Sequence, residues 1–273
     1  MIGIKPRHIR LQKSVFLCLI FISVLLLPSA EAASFTTEKK RLETTLQAIR
    51  TYPPGILKRI ADNKSEFLKD LKDTLSSEKE NILIFVDKTH ILDKNYKPKK
   101  IIMLSDLKGR AYRLDRRDIP LAEIAEPPLQ TMAAAAAKDG IKLTVSSGYR
   151  EYTYQENLFN YYVSTYGAAK ANTFSAPPGS SQHQLGTAID FGTLDDAYAK
   201  TPEGKWLLKN AYKYGWSLSY PNGYEKVTGY KWECWHYRYI GEKACRFQKK
   251  WFGDIQHYTL NFISEWKKTE VKP

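Results

Sequence analysis

Two clusters of polar residues, far apart in the chain, constrain the fold more than any other feature of the sequence. Residues 181–190 contain one histidine and one aspartate, and residues 233–236 contain one glutamate and one histidine. Together they supply two imidazoles and two carboxylates, which is the side-chain inventory of a hydrolytic zinc site. The common His-Glu-x-x-His helix does not occur, so the fold itself must bring two separate segments together.

Three of these side chains form a ligand set for zinc. A catalytic zinc ion takes about three protein ligands and keeps one position open for water. His183, Asp190 and His236 would supply two nitrogens and one carboxylate oxygen. Glu233 is left over, and a carboxylate beside the metal can take a proton from the attacking water and pass it to the leaving amine. The sequence therefore predicts one zinc ion per chain, with Glu233 as the general base.

Each of these residues alone would more often be a hydrogen-bonded core or surface residue, and the prediction depends on their combination. Glu233 and His236 are three positions apart, which fits one side of a helical turn, or a strand end or bulge. We favour the strand end because Trp235 and Tyr237 are typical of β-strands.

The spacing of the two clusters closely resembles that of the VanY-like D-alanyl-D-alanine carboxypeptidases, part of the lysostaphin, D-Ala-D-Ala carboxypeptidase and sonic hedgehog group. The resemblance covers roughly residues 80 to 260. It includes the segments 87–90, 147–150, 154–155 and 237–241, besides Ser181-x-His183-x-x-Gly186-x-Ala188-x-Asp190 and Glu233-x-Trp235-His236. It implies the same zinc ligands and the same base.

The resemblance also implies roles for three further residues. Arg150 would polarise the scissile carbonyl and stabilise its oxyanion, and Ser181 and Gln155 would contact the substrate. A guanidinium beside zinc can indeed offer paired donors to a developing negative oxygen. Without the zinc motif, Arg150 would be a surface salt-bridge partner, Ser181 a cap and Gln155 an exposed helical residue.

The amino terminus predicts export. Basic residues at positions 5, 7, 10 and 13 precede an apolar run over residues 15–27, and small residues follow at Ala30 and Ala32. This pattern is typical of a secretory signal peptide, here residues 1–32, cleaved after Ala32. The apolar run is shorter than the roughly 20 residues of a membrane span, so no stable span is expected after cleavage, and an uncleaved anchor is the alternative. We expect the protein in the periplasm or extracellular cell envelope.

Two cysteines remain after signal removal. Cys234 and Cys245 form an even pair in an oxidising compartment, which predicts a disulfide. A catalytic Cys234 paired with His236 is the alternative, and the disulfide would exclude it.

The order of predicted elements indicates an α+β fold. A small, mostly antiparallel sheet would carry the zinc site among surrounding helices, with a helical N-terminal extension at residues 33–80 and a peptidase domain at 81–273. Two helices are expected within 36–77, and strands at 82–86, 143–145 and 216–220. Further helices are expected at 127–138, 206–214 and 256–266, and one is expected to begin near Tyr152.

These observations together predict a zinc-dependent D,D-carboxypeptidase that removes the terminal D-Ala from peptidoglycan stem peptides. The net charge of +13 is explained mostly by charged side chains on solvated surfaces. It would also favour binding to an anionic cell-wall polymer. The sequence contains no nucleic-acid-binding motif. An L,D-carboxypeptidase or a stem-peptide endopeptidase is the alternative within the enzyme class. A non-catalytic zinc-containing binding domain, as in sonic hedgehog, would not need Glu233 and Arg150 together.

Overall fold

The computed structural model of the protein describes Gly3 and residues 30–270. The predicted signal peptide therefore lies outside the described residues except for positions 30–32, which begin the first helix. Among the described residues, no helix has both the length and the apolar character needed to cross a membrane.

Helices account for most of the regular structure in the described part of the chain. The α-helices are α1 Ala30–Ala48, α2 Pro54–Asp62, α3 Lys64–Ser76, α4 Glu126–Lys138, α5 Tyr152–Tyr166, α6 Ala168–Ala171, α7 Pro202–Asn210, α8 Glu225–Thr228, α9 Glu242–Trp251 and α10 Gln256–Lys268. The strands are β1 Ile101–Met103, β2 Arg113–Leu114, β3 Pro120–Ala122, β4 Thr144–Ser147, β5 Ala188–Phe191, β6 Trp216–Leu218 and β7 His236–Tyr239.

The main sheet has the strand order β2-β4-β5-β7-β6. Only the β2–β4 pair is parallel, and the other three pairs are antiparallel. A separate two-stranded ladder joins β1 and β3. The expected α+β class, with a small and mostly antiparallel sheet among helices, is confirmed.

Two hydrophobic clusters flank the strands that carry the polar residues. One joins the sheet to α4 and α7, and it includes Ile189 and Phe191 of β5. Because side chains alternate along a strand, Asp190 between them projects to the opposite face of the sheet. The other cluster joins α1, α2 and α3 to α9 and α10.

The N-terminal helical segment contains three helices where the sequence predicted two. The extra break falls at Asn63, whose side-chain amide donates to the Arg59 carbonyl at 2.9 Å. Such side-chain bonds to the local backbone compete with helix continuation. These helices share a buried cluster with α9 and α10, and a domain boundary near residue 80 stays a prediction.

The predicted strand at residues 82–86 is wrong. The segment is buried but irregular, and its carbonyls pair with a side chain instead of with a neighbouring strand. The guanidinium of Arg238, which is fully buried, donates to the carbonyls of Ile82 at 2.9 Å and Ile84 at 2.7 Å. The apolar residues of this segment therefore pack in the core without hydrogen-bonded pairing to another strand.

The predicted disulfide is also wrong, because Cys234 and Cys245 are both free thiols. Cys234 lies in the cluster that joins the sheet to α4 and α7, and Cys245 lies on α9 in the other cluster. A disulfide needs Cα atoms within about 7 Å. The two thiols instead pack as small apolar groups in different cores.

Candidate metal centre

Strand pairing brings the two polar clusters of the sequence together. Asp190 at the centre of the sheet is the register partner of Ser147 on β4 and of His236 on β7. His236 is the first residue of β7, and Glu233 lies just before that strand. The strand-end interpretation of this pair is therefore correct.

His183 reaches the same place from a short 3-10 helix, Gln182–Leu185, in front of β5. The hydroxyl of Ser181 accepts a hydrogen bond from the His183 backbone N–H at 3.3 Å and so caps this helix. Gly186 ends the helix with φ +69°, and a Cβ there would lie 2.8 Å from Pro98 Cγ. Glycine is required because the backbone is both left-handed and closely packed at this turn.

Three side chains converge with the spacing of a metal-ligand set. His183 Nε2 lies 3.2 Å from Asp190 Oδ2, and His236 Nδ1 lies 2.9 Å from Asp190 Oδ1. All three ligand atoms fall within 4.8 Å of one another, and the three residues are buried. Ligands about 2.0 Å from a tetrahedral zinc ion are about 3.3 Å apart. The spacing of the group is therefore suited to a zinc ion.

The hydrogen bonding of His183 leaves one nitrogen for a metal. Its Nδ1 donates to the Gly148 carbonyl at 2.6 Å, which places the ring proton on Nδ1. Its Nε2 is buried and has no hydrogen-bond partner among the described residues. Burial, and next the positive charge of Arg150, lower the pKa of His183 to about 4. The ring is therefore neutral at neutral pH, with an unused lone pair facing Asp190.

Asp190 supplies the negative charge of the group. Burial alone would raise its pKa, but the adjacent His183 and His236 hold the pKa well below the usual range of a carboxyl group. Two imidazole nitrogens and one carboxylate oxygen are donors that zinc prefers. The chemistry of the donors and the distances between them agree.

Glu233 lies beside this group without belonging to it. Its Oε2 is 3.7 Å from His236 Nδ1, and its side chain is 13% exposed. Burial, and next the negative charge of Asp190, raise its pKa well above the usual value for glutamate. A metal cation would act in the opposite direction. A carboxylate whose pKa is raised by burial and by a neighbouring negative charge is suited to accept and release a proton.

Arg150 follows β4 and extends its guanidinium toward the same group. Its Nη2 donates to Asp190 Oδ2 at 3.4 Å, and its Nη1 donates to Gln155 Oε1 at 3.3 Å. Its Nε is buried without a hydrogen-bond partner among the described residues. Gln155 in turn donates to the Ala176 carbonyl at 2.8 Å. Gln155 thus holds the guanidinium, and its predicted contact with substrate stays a prediction.

All seven residues singled out in the sequence line one cleft with a volume of about 610 Å³. This volume lies within the range of small-molecule sites. The sequence did not single out Tyr220, whose ring centroid is 4.9 Å from that of His236, or Gln182, which contacts His236 directly. Gln182 lies inside the first motif, but nothing in its spacing marks it as part of a metal site.

Comparison with known proteins identifies the family. Residues 118–242 match the family model described as VanY, D-alanyl-D-alanine carboxypeptidase. The candidate carboxypeptidase YodJ of Bacillus subtilis (strain 168) is 37% identical over 194 residues, which cover 67% of this chain and 70% of YodJ. The chain belongs to the VanY family. It is therefore a member of a carboxypeptidase family, as the sequence motifs predicted.

Solved structures share the fold of this VanY-family chain. The LD-carboxypeptidase LdcB is 34% identical with a TM-score of 0.58, over 64% of this chain and 87% of LdcB. VanYB in complex with D-alanine-D-alanine is 29% identical with a TM-score of 0.54, over 66% of this chain and 97% of VanYB. A mutant of the D,D-pentapeptidase VanY in complex with Zn(II) is 29% identical with a TM-score of 0.53, over 65% and 98% of the two chains.

Proposed function

We propose that this chain is a zinc-dependent D,D-carboxypeptidase that removes the terminal D-Ala from peptidoglycan stem peptides. The observation that carries the proposal is the convergence of His183, Asp190 and His236 in one cleft with Glu233 and Arg150. Membership of the VanY family supports the reaction, and the VanYB complex with D-alanine-D-alanine supports the substrate class.

Three residues would hold the zinc ion, namely His183, Asp190 and His236. When bound, zinc supplies a Lewis acid that makes water a nucleophile near neutral pH. Glu233 accepts a proton from the attacking water and delivers it to the amine of the departing D-Ala. Arg150 donates to the carbonyl oxygen of the scissile bond as that oxygen becomes negative. Enclosure of these charges in the cleft strengthens each interaction.

An L,D-carboxypeptidase is the second candidate, and one observation favours it. LdcB, an LD-carboxypeptidase, is 34% identical with a TM-score of 0.58, against 29% and 0.54 for VanYB. The two activities require the same bond-breaking machinery and differ in how the cleft receives the residue before the scissile bond.

A product analysis separates these activities. The purified protein is incubated with a stem pentapeptide that ends in D-Ala-D-Ala and with a tetrapeptide that ends in one D-Ala, and the products are weighed by mass spectrometry. We expect the pentapeptide to lose one alanine and the tetrapeptide to remain intact. Shortening of the tetrapeptide alone would make the L,D-activity the function, and no cleavage of either peptide by zinc-loaded protein would contradict both.

The protein is expected to bind one zinc ion per chain, because the described residues contain one group of three ligands with suitable spacing. Metal analysis of zinc-equilibrated protein after gel filtration measures the ratio. Replacement of His183 or His236 by alanine should lower the zinc content, because two ligands rarely retain zinc in a structural or catalytic site. Unchanged zinc content in both variants would contradict this ligand assignment.

We also propose that the protein acts outside the cytoplasm. Residues 1–32 carry the basic, apolar and small-residue pattern of a signal peptide. The proposed substrate is a component of the cell wall, so export would bring enzyme and substrate together.

A further inference from the structure

The second histidine of the metal group has a different proton requirement from the first. His236 Nδ1 is the nitrogen near Asp190, at 2.9 Å from Oδ1. This nitrogen can bind zinc only with a free lone pair, so the ring proton must lie on Nε2. His236 Nε2 lies 3.2 Å from Gln182 Oε1, which can accept that proton in a hydrogen bond. The tautomer of His236 therefore depends on which end of the Gln182 amide faces the ring.

The orientation of the Gln182 amide depends on two further buried side chains. Its Oε1 also accepts from the Ser219 hydroxyl at 2.7 Å, and its Nε2 donates to Gln256 Oε1 at 3.1 Å. Gln256 Nε2 in turn donates to the backbone carbonyl of Ser217 at 3.2 Å. Gln182 is 7% exposed, Ser219 2% and Gln256 1%, so these bonds are largely shielded from water.

The Ser217 carbonyl determines which group donates and which accepts at each step of this series of hydrogen bonds. A carbonyl oxygen can only accept, so the NH₂ group of Gln256 must face it. The oxygen of Gln256 then faces Gln182, and only the NH₂ group of Gln182 can satisfy it. Reversal of Gln182 would place two carbonyl oxygens face to face, either between the two glutamines or between Gln256 and Ser217. An unpaired acceptor in a buried site is costly, so one orientation predominates.

We infer that Gln182 and Gln256 are positioning residues that fix the His236 tautomer and so keep Nδ1 free for zinc. The inference rests on the zinc site proposed above. Gln256 is the first residue of α10, so the C-terminal helix takes part in organising the metal site. We call this series of hydrogen bonds from Gln256 through Gln182 to His236 the relay. His183 needs no relay, because the backbone carbonyl of Gly148 fixes the position of its ring proton directly.

Zinc affinity, measured by competition with a chromophoric chelator, tests the relay. Gln182→Leu should raise the zinc dissociation constant by about 10- to 100-fold, the usual effect of losing the hydrogen-bond partner of a metal-ligating histidine. Gln256→Leu should raise it by a smaller factor, because Gln182 keeps its oxygen but loses its fixed orientation. Gln182→Glu should bind zinc clearly more tightly than Gln182→Leu, because a carboxylate oxygen still accepts from His236 Nε2, although it cannot donate to Gln256 Oε1 as the amide does.

Gln184 provides a matched control in the same 3-10 helix. It is fully buried, and its amide donates to the Asp93 and Tyr96 carbonyls instead of forming a hydrogen bond with His183 or His236. Gln184→Leu removes comparable buried hydrogen bonds, so it should affect folding stability but leave zinc affinity near that of the wild type. Long-range ¹⁵N–¹H spectra of the zinc-loaded wild type should place the ring proton of His236 on Nε2.

The outcomes separate this inference from the proposed function. A wild-type protein that fails to bind zinc would overturn the metal site and the relay together. Tight zinc binding by the wild type with an unchanged dissociation constant in Gln182→Leu would overturn the relay alone. An equal loss in Gln184→Leu, or no recovery in Gln182→Glu, would also overturn it, because the effect would then reflect general loss of packing.

Discussion

Replacement of Glu233 by glutamine is expected to lower kcat/KM for the stem peptide by about 10²- to 10⁴-fold, the typical contribution of general acid–base catalysis. The amide has nearly the same shape as the carboxylate but cannot accept the proton of the attacking water. Zinc content should remain at one ion per chain, because Glu233 lies beside the His183, Asp190 and His236 group and is not part of it. Steady-state kinetics and metal analysis on the same preparation measure both properties.

Glu225 offers a control for the change in charge. It lines the same cleft but accepts a hydrogen bond from the Gly223 backbone N–H, and it lies outside the proposed catalytic group. Glu225→Gln should therefore retain activity near that of the wild type. If Glu233→Gln cleaved the peptide as fast as the wild type, Glu233 would not be the base. If it lost zinc, Glu233 would be a ligand instead.

The sequence predicted which residues of the candidate site come together better than it predicted the scaffold around them. His183 and Asp190 belong to one short segment, and Glu233 and His236 to another, so the members of each pair were already close together along the chain. Pairing of β5 with β7 then sufficed to bring Asp190 and His236 into register. The prediction of the metal group therefore depended on the chemistry of four residues in two segments. Only one long-range contact, the pairing of the two strands, was needed to join them.

The wrong strand and the wrong disulfide have one physical cause, which is that long-range partners decided the local structure. Residues 82–86 have the composition of a strand, but the buried Arg238 takes two of their carbonyls. The even number of cysteines and the predicted oxidising compartment suggested a disulfide. In the structure, Cys234 and Cys245 pack in different hydrophobic clusters. Gln256 likewise reaches Gln182 only through the fold, and nothing in its local sequence indicates that contact.

Replacement of Arg150 by alanine is expected to lower kcat by about 10²- to 10³-fold, the usual cost of losing one donor to a developing oxyanion. Its guanidinium is already oriented before substrate binds, by Gln155 on one side and Asp190 on the other. This orientation before substrate binding favours catalysis, because the guanidinium need not reorganise as the carbonyl oxygen becomes negative. Arg150→Lys should recover little activity, because an ammonium group cannot keep both of these contacts and still donate to substrate.

The division of this effect between kcat and KM identifies what Arg150 binds. An oxyanion donor acts in the transition state, so its loss should appear mainly in kcat. A guanidinium that instead bound the terminal carboxylate of the peptide would act equally in the ground state, and its loss would appear mainly in KM. Gln155→Leu should weaken catalysis in the same parameter as Arg150→Ala but less strongly, because Gln155 acts by holding the guanidinium in place. A change in KM alone in both variants would assign Arg150 to substrate binding and leave the oxyanion without this donor.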